Sequence, residues 1–278
     1  MASKSSVWRK VPQSQFPEME SFLRKHEPVC VGACSRFIQG NSHIWTYSIN
    51  SEIAAFMLYC RRSLYPVFSG NHGIPLPGFF SSFLQKINIH SVTGLREDIE
   101  ITEEGMRDRG YCISDRIDYD LMALERPASE NLPAGPPDLV LRKPAEADRD
   151  DLFRLQCAYE QEEVIPLGGY FNPDNCGKIL ARILASEQML VACVGNKIVG
   201  KINTNAKSFT RYQIGGVYVC PEYRGRGIAS RMSAAFLNQL AAEGRGITLF
   251  VKKRNIAAKN VYKRLGFTVL ADYRICYY

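Results

Sequence analysis

The run Arg224-Gly225-Arg226-Gly227-Ile228-Ala229 sets two glycines and two arginines between a strand-forming stretch, Val217-Tyr218-Val219, and an apolar helical pattern that starts at Ile228. Such a junction presents main-chain N–H groups and a helix dipole to an anion, because the first turn of a helix carries donors with no partner inside the helix. Gly225 and Gly227 remove side chains where a ligand oxygen must approach the backbone. Pro221 cannot donate to a ladder, so the strand ends there. The chemistry this predicts is capture of a diphosphate of coenzyme size; the plainer alternative is a glycine-rich strand-to-helix turn with no ligand.

A second constellation follows. Ile247 to Val251 reads as another strand, and Asn255-Ile256-Ala257-Ala258-Lys259-Asn260-Val261-Tyr262 opens a helix for which Asn255 is a good N-cap and Gly266 a stop. With both runs in view the chain resembles the Gcn5-related N-acetyltransferase (GNAT) superfamily. The pyrophosphate signature of that family, Gln/Arg-x-x-Gly-x-Gly/Ala, stands here as Arg224 to Ala229. Its second signature stands as Asn255, Tyr262 and Gly266-Phe267. The resemblance covers the C-terminal half, Leu139 to Tyr278. Glu162-Glu163-Val164, Gly200-Lys201-Ile202 and Gln213 to Val217 are similar to two-domain members in which an uncharacterised N-terminal domain precedes the acetyltransferase domain.

The resemblance implies direct acetyl transfer from acetyl-CoA to an amine. It implies that amides of Val217, Tyr218 and Val219 bond the pantetheine arm and polarise the thioester carbonyl. Arg224, Gly225, Arg226, Gly227, Ile228 and Ala229 would hold the diphosphate, and Asn255, Ala258, Lys259 and Tyr262 would complete the coenzyme site. Tyr262 matches the family's partner for the departing thiolate, and its phenol has suitable acidity; the alternative for it is an amphipathic core residue. Glu162 and Glu163, carboxylates at the end of a helix whose apolar face points inward, are the candidate bases; a solvated helix end is the competing reading, and Tyr218 with a water chain is another route. No metal is expected: His26, Cys30 and Cys34 have three-residue gaps, but no CxxC or second ligand pair completes a site.

Charge is divided unevenly. Residues 1–137 carry 14 Lys and Arg against 15 Asp and Glu, and residues 138–278 carry 21 against 13. The positive excess therefore lies with the supposed coenzyme site, where Arg224, Arg226, Arg231, Lys252, Lys253, Arg254, Lys259 and Lys263 are near in sequence. A basic face also suits nucleic acid, yet no zinc-finger, helix-turn-helix or RNA-platform signature accompanies it. The nine cysteines form no paired framework, and Met1 to Lys10 lacks an apolar segment of signal-peptide length. No stretch of about 18 apolar residues exists. Together these predict a cytoplasmic protein with no membrane partner.

The elements that must position these residues can be laid out in order. In the second half, Leu139 to Arg142 begins a strand, Asp148 caps a helix with Leu152, Leu155 and Tyr159 on one face, and Asn172-Pro173 starts a second helix. Gln188 to Val194 and Lys197 to Asn203 form a hairpin about Gly195-Asn196, and Arg211 to Val219 is the motif strand. The expected architecture is α/β (α+β), a mixed and mostly antiparallel sheet with helices on both faces. In the first half, His43 to Asn50 and Glu52 to Tyr59 read as a hairpin, although the apolar density of the second run also suits a helix. Arg61 to Phe68 continues the strand pattern. Phe79, Phe80, Phe83, Leu84 and Ile87 repeat at helical spacing, and Ile89 to Leu95 and Tyr111 to Leu124 read as further strands. This order suggests a degenerate GNAT-like half without the glycine loop. The expected domains are 1–131, a Pro/Gly-rich linker at 132–137, and 138–278.

The function expected is N-acetyl transfer to a primary amine such as a protein lysine, a polyamine or a small molecule. A coenzyme-A-binding regulatory or scaffold module is the first alternative, and a nucleic-acid-associated protein the second.

Overall fold

The computed structural model describes residues 8–40, 42–70, 74, 76, 79–80, 87–107, 109–124, 132–165 and 168–278. It falls into two compact units, one of Met1–Leu121 with Leu270–Tyr278 and one of Met122–Val269.

The first unit begins with β1 (Arg9–Lys10), α1 (Phe16–His26) and α2 (Val31–Ile38), then β2 (His43–Ile49), β3 (Glu52–Cys60) and β4 (Ser63–Phe68), a helical stretch containing Leu76, Phe79 and Phe80, then β5 (Ser91–Leu95) and α3 (Arg96–Arg107). β6 (Asp115–Leu124) starts in this unit and ends in the second. β1 to β4 pair antiparallel in succession, while β4 and β5 pair parallel at Ser63–Ser91 and Leu64–Val92. The C-terminal residues Tyr273–Tyr277 lie antiparallel on Leu95–Ser91, between β5 and β6 in the sheet.

Two hairpins illustrate what sequence did and did not announce. Asn50 and Ser51 have φ of 50° and 71°, the left-handed pair that a two-residue strand-compatible turn needs, at the expected place. The β3–β4 connection makes the same turn with Arg61 and Arg62, φ 50° and 64°, so the strand starts at Ser63 and not at Arg61. Nothing in two arginines signals a left-handed turn.

The second unit continues with β7 (Leu139–Arg142), α4 (Arg149–Tyr159) running into a π-helical turn (Glu160–Val164), α5 (Pro173–Ser186), β8 (Met189–Val194), β9 (Lys197–Lys207), β10 (Arg211–Val219), α6 (Ile228–Ala241), β11 (Gly246–Lys252), α7 (Ile256–Arg264) and the start of β12 (Thr268–Tyr277). Its sheet runs β11-β10-β9-β8-β7, with only β10 and β11 parallel. Alternation along β8 splits the core in two. Met189, Val191 and Cys193 face Leu152 and Leu155 of α4 and Leu180 and Ile183 of α5; Leu190 and Ala192 face Met232, Phe236 and Leu240 of α6. The element order of the first unit, strand-helix-helix-three strands-helix-strand-helix-strand, repeats that of the second, down to a parallel fourth and fifth strand.

Caps explain where these helices begin. Asn172 Oδ1 accepts from the Asn175 amide at 3.0 Å, with Pro173 in the first turn of α5. Asp148 makes no cap bond to α4; its carboxylate instead takes both guanidinium nitrogens of Arg142 at 2.6 and 2.9 Å and the Ala145 amide at 2.6 Å. Among the described residues no helix is long and apolar enough to cross a membrane.

Candidate functional site

The site is built where β10 loses its neighbours. Its parallel ladder with β11 ends at Ile214–Leu249, although β10 continues to Val219 and β11 to Lys252. On its other side Gly215 pairs with Asn203 and Tyr218 with Lys201, so Gly216 and Val217 together oppose the single residue Ile202. That is a β-bulge, which turns main-chain groups out of the ladder and bends the strand. Gly216 sits at φ 59°, and a Cβ there would lie 2.0 Å from Asn203 Oδ1. Gly215 is held by the same logic, since its Cβ would lie 2.0 Å from Asn205 Nδ2. The two glycines exist because asparagine side chains of β9 lie across them.

The predicted anion loop follows directly. A short 3-10 turn at Pro221–Tyr223 leads to Gly225 (φ 76°) and Gly227 (φ 74°), and α6 begins at Ile228 with Gly227 as its N-cap. The first bond of the helix runs from the Arg231 amide to the Gly227 carbonyl at 3.1 Å. The amides of residues 225–230 make no hydrogen bond among the described residues, which leaves a cluster of main-chain donors at the positive end of a 14-residue helix. A Cβ on Gly225 would meet nothing within 4 Å, so this face of the loop is open. A Cβ on Gly227 would meet the Ala134 carbonyl at 2.7 Å, and Arg231 Nε donates to the Pro133 carbonyl at 2.9 Å. Pro133 and Ala134, within the segment 132–137 expected as a linker, thus pack against the start of α6.

The arginines of the loop are placed differently from each other. Arg224 donates to the Val219 carbonyl at 2.9 Å and to Glu162 Oε2 at 2.7 Å, and its guanidinium lies 5.3 Å from the Tyr218 ring centroid. Arg226 stacks at 5.4 Å on Tyr223 and is exposed. Arg224 therefore props the loop against the end of α4, and Arg226 remains available to an anion.

Glu162 and Glu163 both lie on the π-helical turn and both are engaged. The Arg224 guanidinium holds the Glu162 carboxyl below its usual range. Glu163 receives Lys252 Nζ at 3.2 Å and Asn255 Nδ2 at 3.3 Å. Asn255 in turn caps α7 through the Ala258 amide at 3.0 Å, so one chain of bonds joins the π-helical turn, the end of β11 and the start of α7. The buried Tyr262 packs edge-on against Phe267 at 5.8 Å, and its hydroxyl makes no hydrogen bond among the described residues. Burial, reinforced by Tyr159 and Glu163, pushes its phenol well above the ordinary value. The group is a proton donor at neutral pH.

Sequence reasoning missed the floor beneath the bulge. Lys201, Asn203 and Asn205 project to one face of β9 toward Tyr159 and Glu160, and Lys201 is fully buried with Nζ 3.0 Å from the Gly216 carbonyl. Polar residues at 201, 203 and 205, alternate positions of one strand opposite a Gly-Gly pair, were the available signal. The His26, Cys30 and Cys34 series forms no metal cluster among the described residues; Cys30 Sγ donates to the His26 carbonyl at 3.1 Å and lies 3.6 Å from Cys34 Sγ.

Comparison with known proteins bears on the family and the fold. The acetyltransferase (GNAT) family model matches residues 149–267. A Drosophila protein of 13% identity superposes with a TM-score of 0.70 over 99% of each chain. A GCN5-related N-acetyltransferase from Sphaerobacter thermophilus, 16% identical, gives 0.66 over 99% of this chain and 96% of its own. A tandem GNAT protein from the clavulanic acid biosynthesis pathway, 10% identical, gives 0.62 over 97% and 98%. At such identities the likeness is one of fold. No curated protein matches the sequence.

Proposed function

We propose, from the match of the acetyltransferase (GNAT) family model to residues 149–267, that the chain is an enzyme of that family and transfers an acetyl group from acetyl-CoA directly to a primary amine. The observation that carries this reading is the conjunction of unpaired amides at residues 225–230, an open face at Gly225 and a bulge at Gly216-Val217 beside parting strands. A diphosphate seated on the loop leaves its pantetheine arm to run along the gap between β10 and β11, past the bulge.

In this reading each residue has a defined task. The loop amides and Arg226 hold the phosphates. The Val217 amide faces the thioester oxygen, where a preorganised donor is worth about 3 kcal/mol as negative charge develops. The amine nitrogen bonds to the acetyl carbon, the carbon–sulfur bond breaks, and Tyr262 gives its proton to the leaving sulfur. Glu162 is a weak base because Arg224 stabilises its ionised form, so the proton of the amine leaves through solvent. Arg224 and Lys252 also neutralise the acidic pair, which gives no net negative surface to select a cationic acceptor. All nine cysteines are free thiols, which supports a cytoplasmic enzyme.

The test is calorimetric titration with acetyl-CoA, followed by thiol release across a panel of primary amines. Arg226→Glu is the companion variant, since this side chain stacks only on Tyr223 and can be reversed in charge without disturbing the core. Binding by the wild type, weakened about tenfold or more by the reversal, supports the reading. A protein that ignores acetyl-CoA sinks it.

A further inference from the structure

Gly216 and Val217 form the bulge, and a bulge strands main-chain groups that its own ladder cannot satisfy. The Gly216 carbonyl is one of them. It is met by the Lys201 side chain, whose Nζ approaches to 3.0 Å and also reaches Asn203 Oδ1 at 3.4 Å. Lys201 has no exposed surface at all, and its ammonium lies 4.6 Å from the centroid of the Tyr159 ring. Tyr218 stands opposite it in register. A fully buried lysine is a rare and costly choice unless the charge has work to do. Here it lies against the carbonyl of the first residue of the bulge.

We propose that Lys201 is a positioning residue: by donating to the Gly216 carbonyl it fixes the bulge, and through it the direction of the Val217 amide at the acyl group. The inference rests on the acetyl-transfer reading above. Its physical content is that the floor of β9 sets the shape of β10. Asn203 and Asn205 lie where Cβ atoms of residues 216 and 215 would be, so the strand can only close over them as glycine, and Lys201 then locks the carbonyl. Lys201 touches no reacting atom in this scheme.

The position also makes the lock sensitive to pH. Burial pulls the Lys201 ammonium down to about 7, against the opposing pull of Glu160 on the π-helical turn and of Cys176 on α5. The remaining polar groups around it are Tyr159 of α4, Asn203 of β9 and Tyr218 of β10, whose phenol burial pushes above its ordinary value. The bond to Gly216 is charge-assisted below about pH 7 and weaker above it.

Lys201→Met keeps the length of the side chain and removes the donor. The expected result is a fall in kcat of about 10- to 100-fold, as for a displaced transition-state donor, with the Kd for coenzyme A within about threefold because the loop at 224–229 is untouched. The wild type should also lose kcat as pH rises through about 7, a limb that the variant lacks. Hydrogen exchange on the wild type reads the lock without any substitution: protection of the Gly216 and Val217 amides, corrected for intrinsic rates, should fall between about pH 6 and 8. Unchanged kcat and an unchanged pH profile in Lys201→Met overturn the proposal. If that variant does not fold, pH-independent protection in the wild type overturns it. A wild type that binds coenzyme A, shows the exchange transition and turns over no amine supports the lock while refuting the acetyl-transfer reading.

Discussion

Two glycines two residues apart give a test that separates ligand binding from backbone strain. Gly225 and Gly227 have nearly the same φ, 76° and 74°, so an alanine at either position incurs the same left-handed cost, about 1–2 kcal/mol. Their surroundings differ. The new methyl at 227 would lie 2.7 Å from a backbone oxygen, that of Ala134, and 3.2 Å from Pro133 Cβ, whereas the one at 225 meets nothing within 4 Å. Forcing the main chain of residue 134 aside adds roughly 1–3 kcal/mol. Gly227→Ala should therefore destabilise the protein by about 2–5 kcal/mol and Gly225→Ala by only about 1–2 kcal/mol. Binding should rank the other way relative to stability. The methyl at 225 occupies the open face in front of the free amides, and losing one charge-assisted bond of about 1.5–3 kcal/mol weakens acetyl-CoA by about 10- to 100-fold. Urea unfolding gives the first pair of numbers and titration calorimetry the second. If Gly225→Ala binds acetyl-CoA like the wild type, no phosphate sits on this loop, whatever the stabilities show.

Three other outcomes are expected. Tyr262→Phe should lower kcat about 10²-fold with little change in stability, because no bond of the hydroxyl is lost; wild-type kcat would return Tyr262 to a packing role. Glu162→Gln should remove an acid-sensitive contribution, since a carboxyl held low by Arg224 stabilises the fold at neutral pH and ceases to as pH falls through the acid range; an identical acid limb in urea unfolding of the variant would show that the pair is idle. Asp98 has the opposite sign. Burial raises its carboxyl to about 7 against the amide bond from Phe68, so the folded state holds the proton more tightly than the unfolded one and stability declines as pH rises from about 4 to 7. Asp98→Asn should flatten that decline, and a slope unchanged by the substitution would refute it.

The second unit was legible because its signals are local. The Asn255 and Asn172-Pro173 caps, the Gly195 turn and the glycine loop each act within a few residues, and each is found in place. The first unit hid α1, α2 and α3. The stripe that α3 turns inward is Ile99, Thr102, Glu103 and Met106, half of it polar, so helical periodicity in hydrophobicity is lost. Its buried Glu103 is satisfied by residues outside the helix, by Arg116 at 2.8 Å and by Cys276 at 2.7 Å. α1 shows the ordinary pattern, with Met19, Phe22 and Leu23 buried, yet its chemistry-free residues gave no reason to look there. The engagement of Glu162 by Arg224 joins residues 62 apart in the chain, and Lys201 meets Gly216 across 15. Spacing in sequence does not encode such meetings, which are made by the fold.

The residues from Leu270 onward belong to the first unit although they are made after the whole of the second. On the ribosome, the intervening unit of residues 122–269 can therefore fold while its predecessor still lacks a strand, and β5 waits with an unsatisfied edge until Tyr273–Tyr277 emerge. The same arrangement governs dissection: a fragment cut near residue 131 would leave out a strand that its sheet needs, so the two units are best separated by circular permutation and not by truncation.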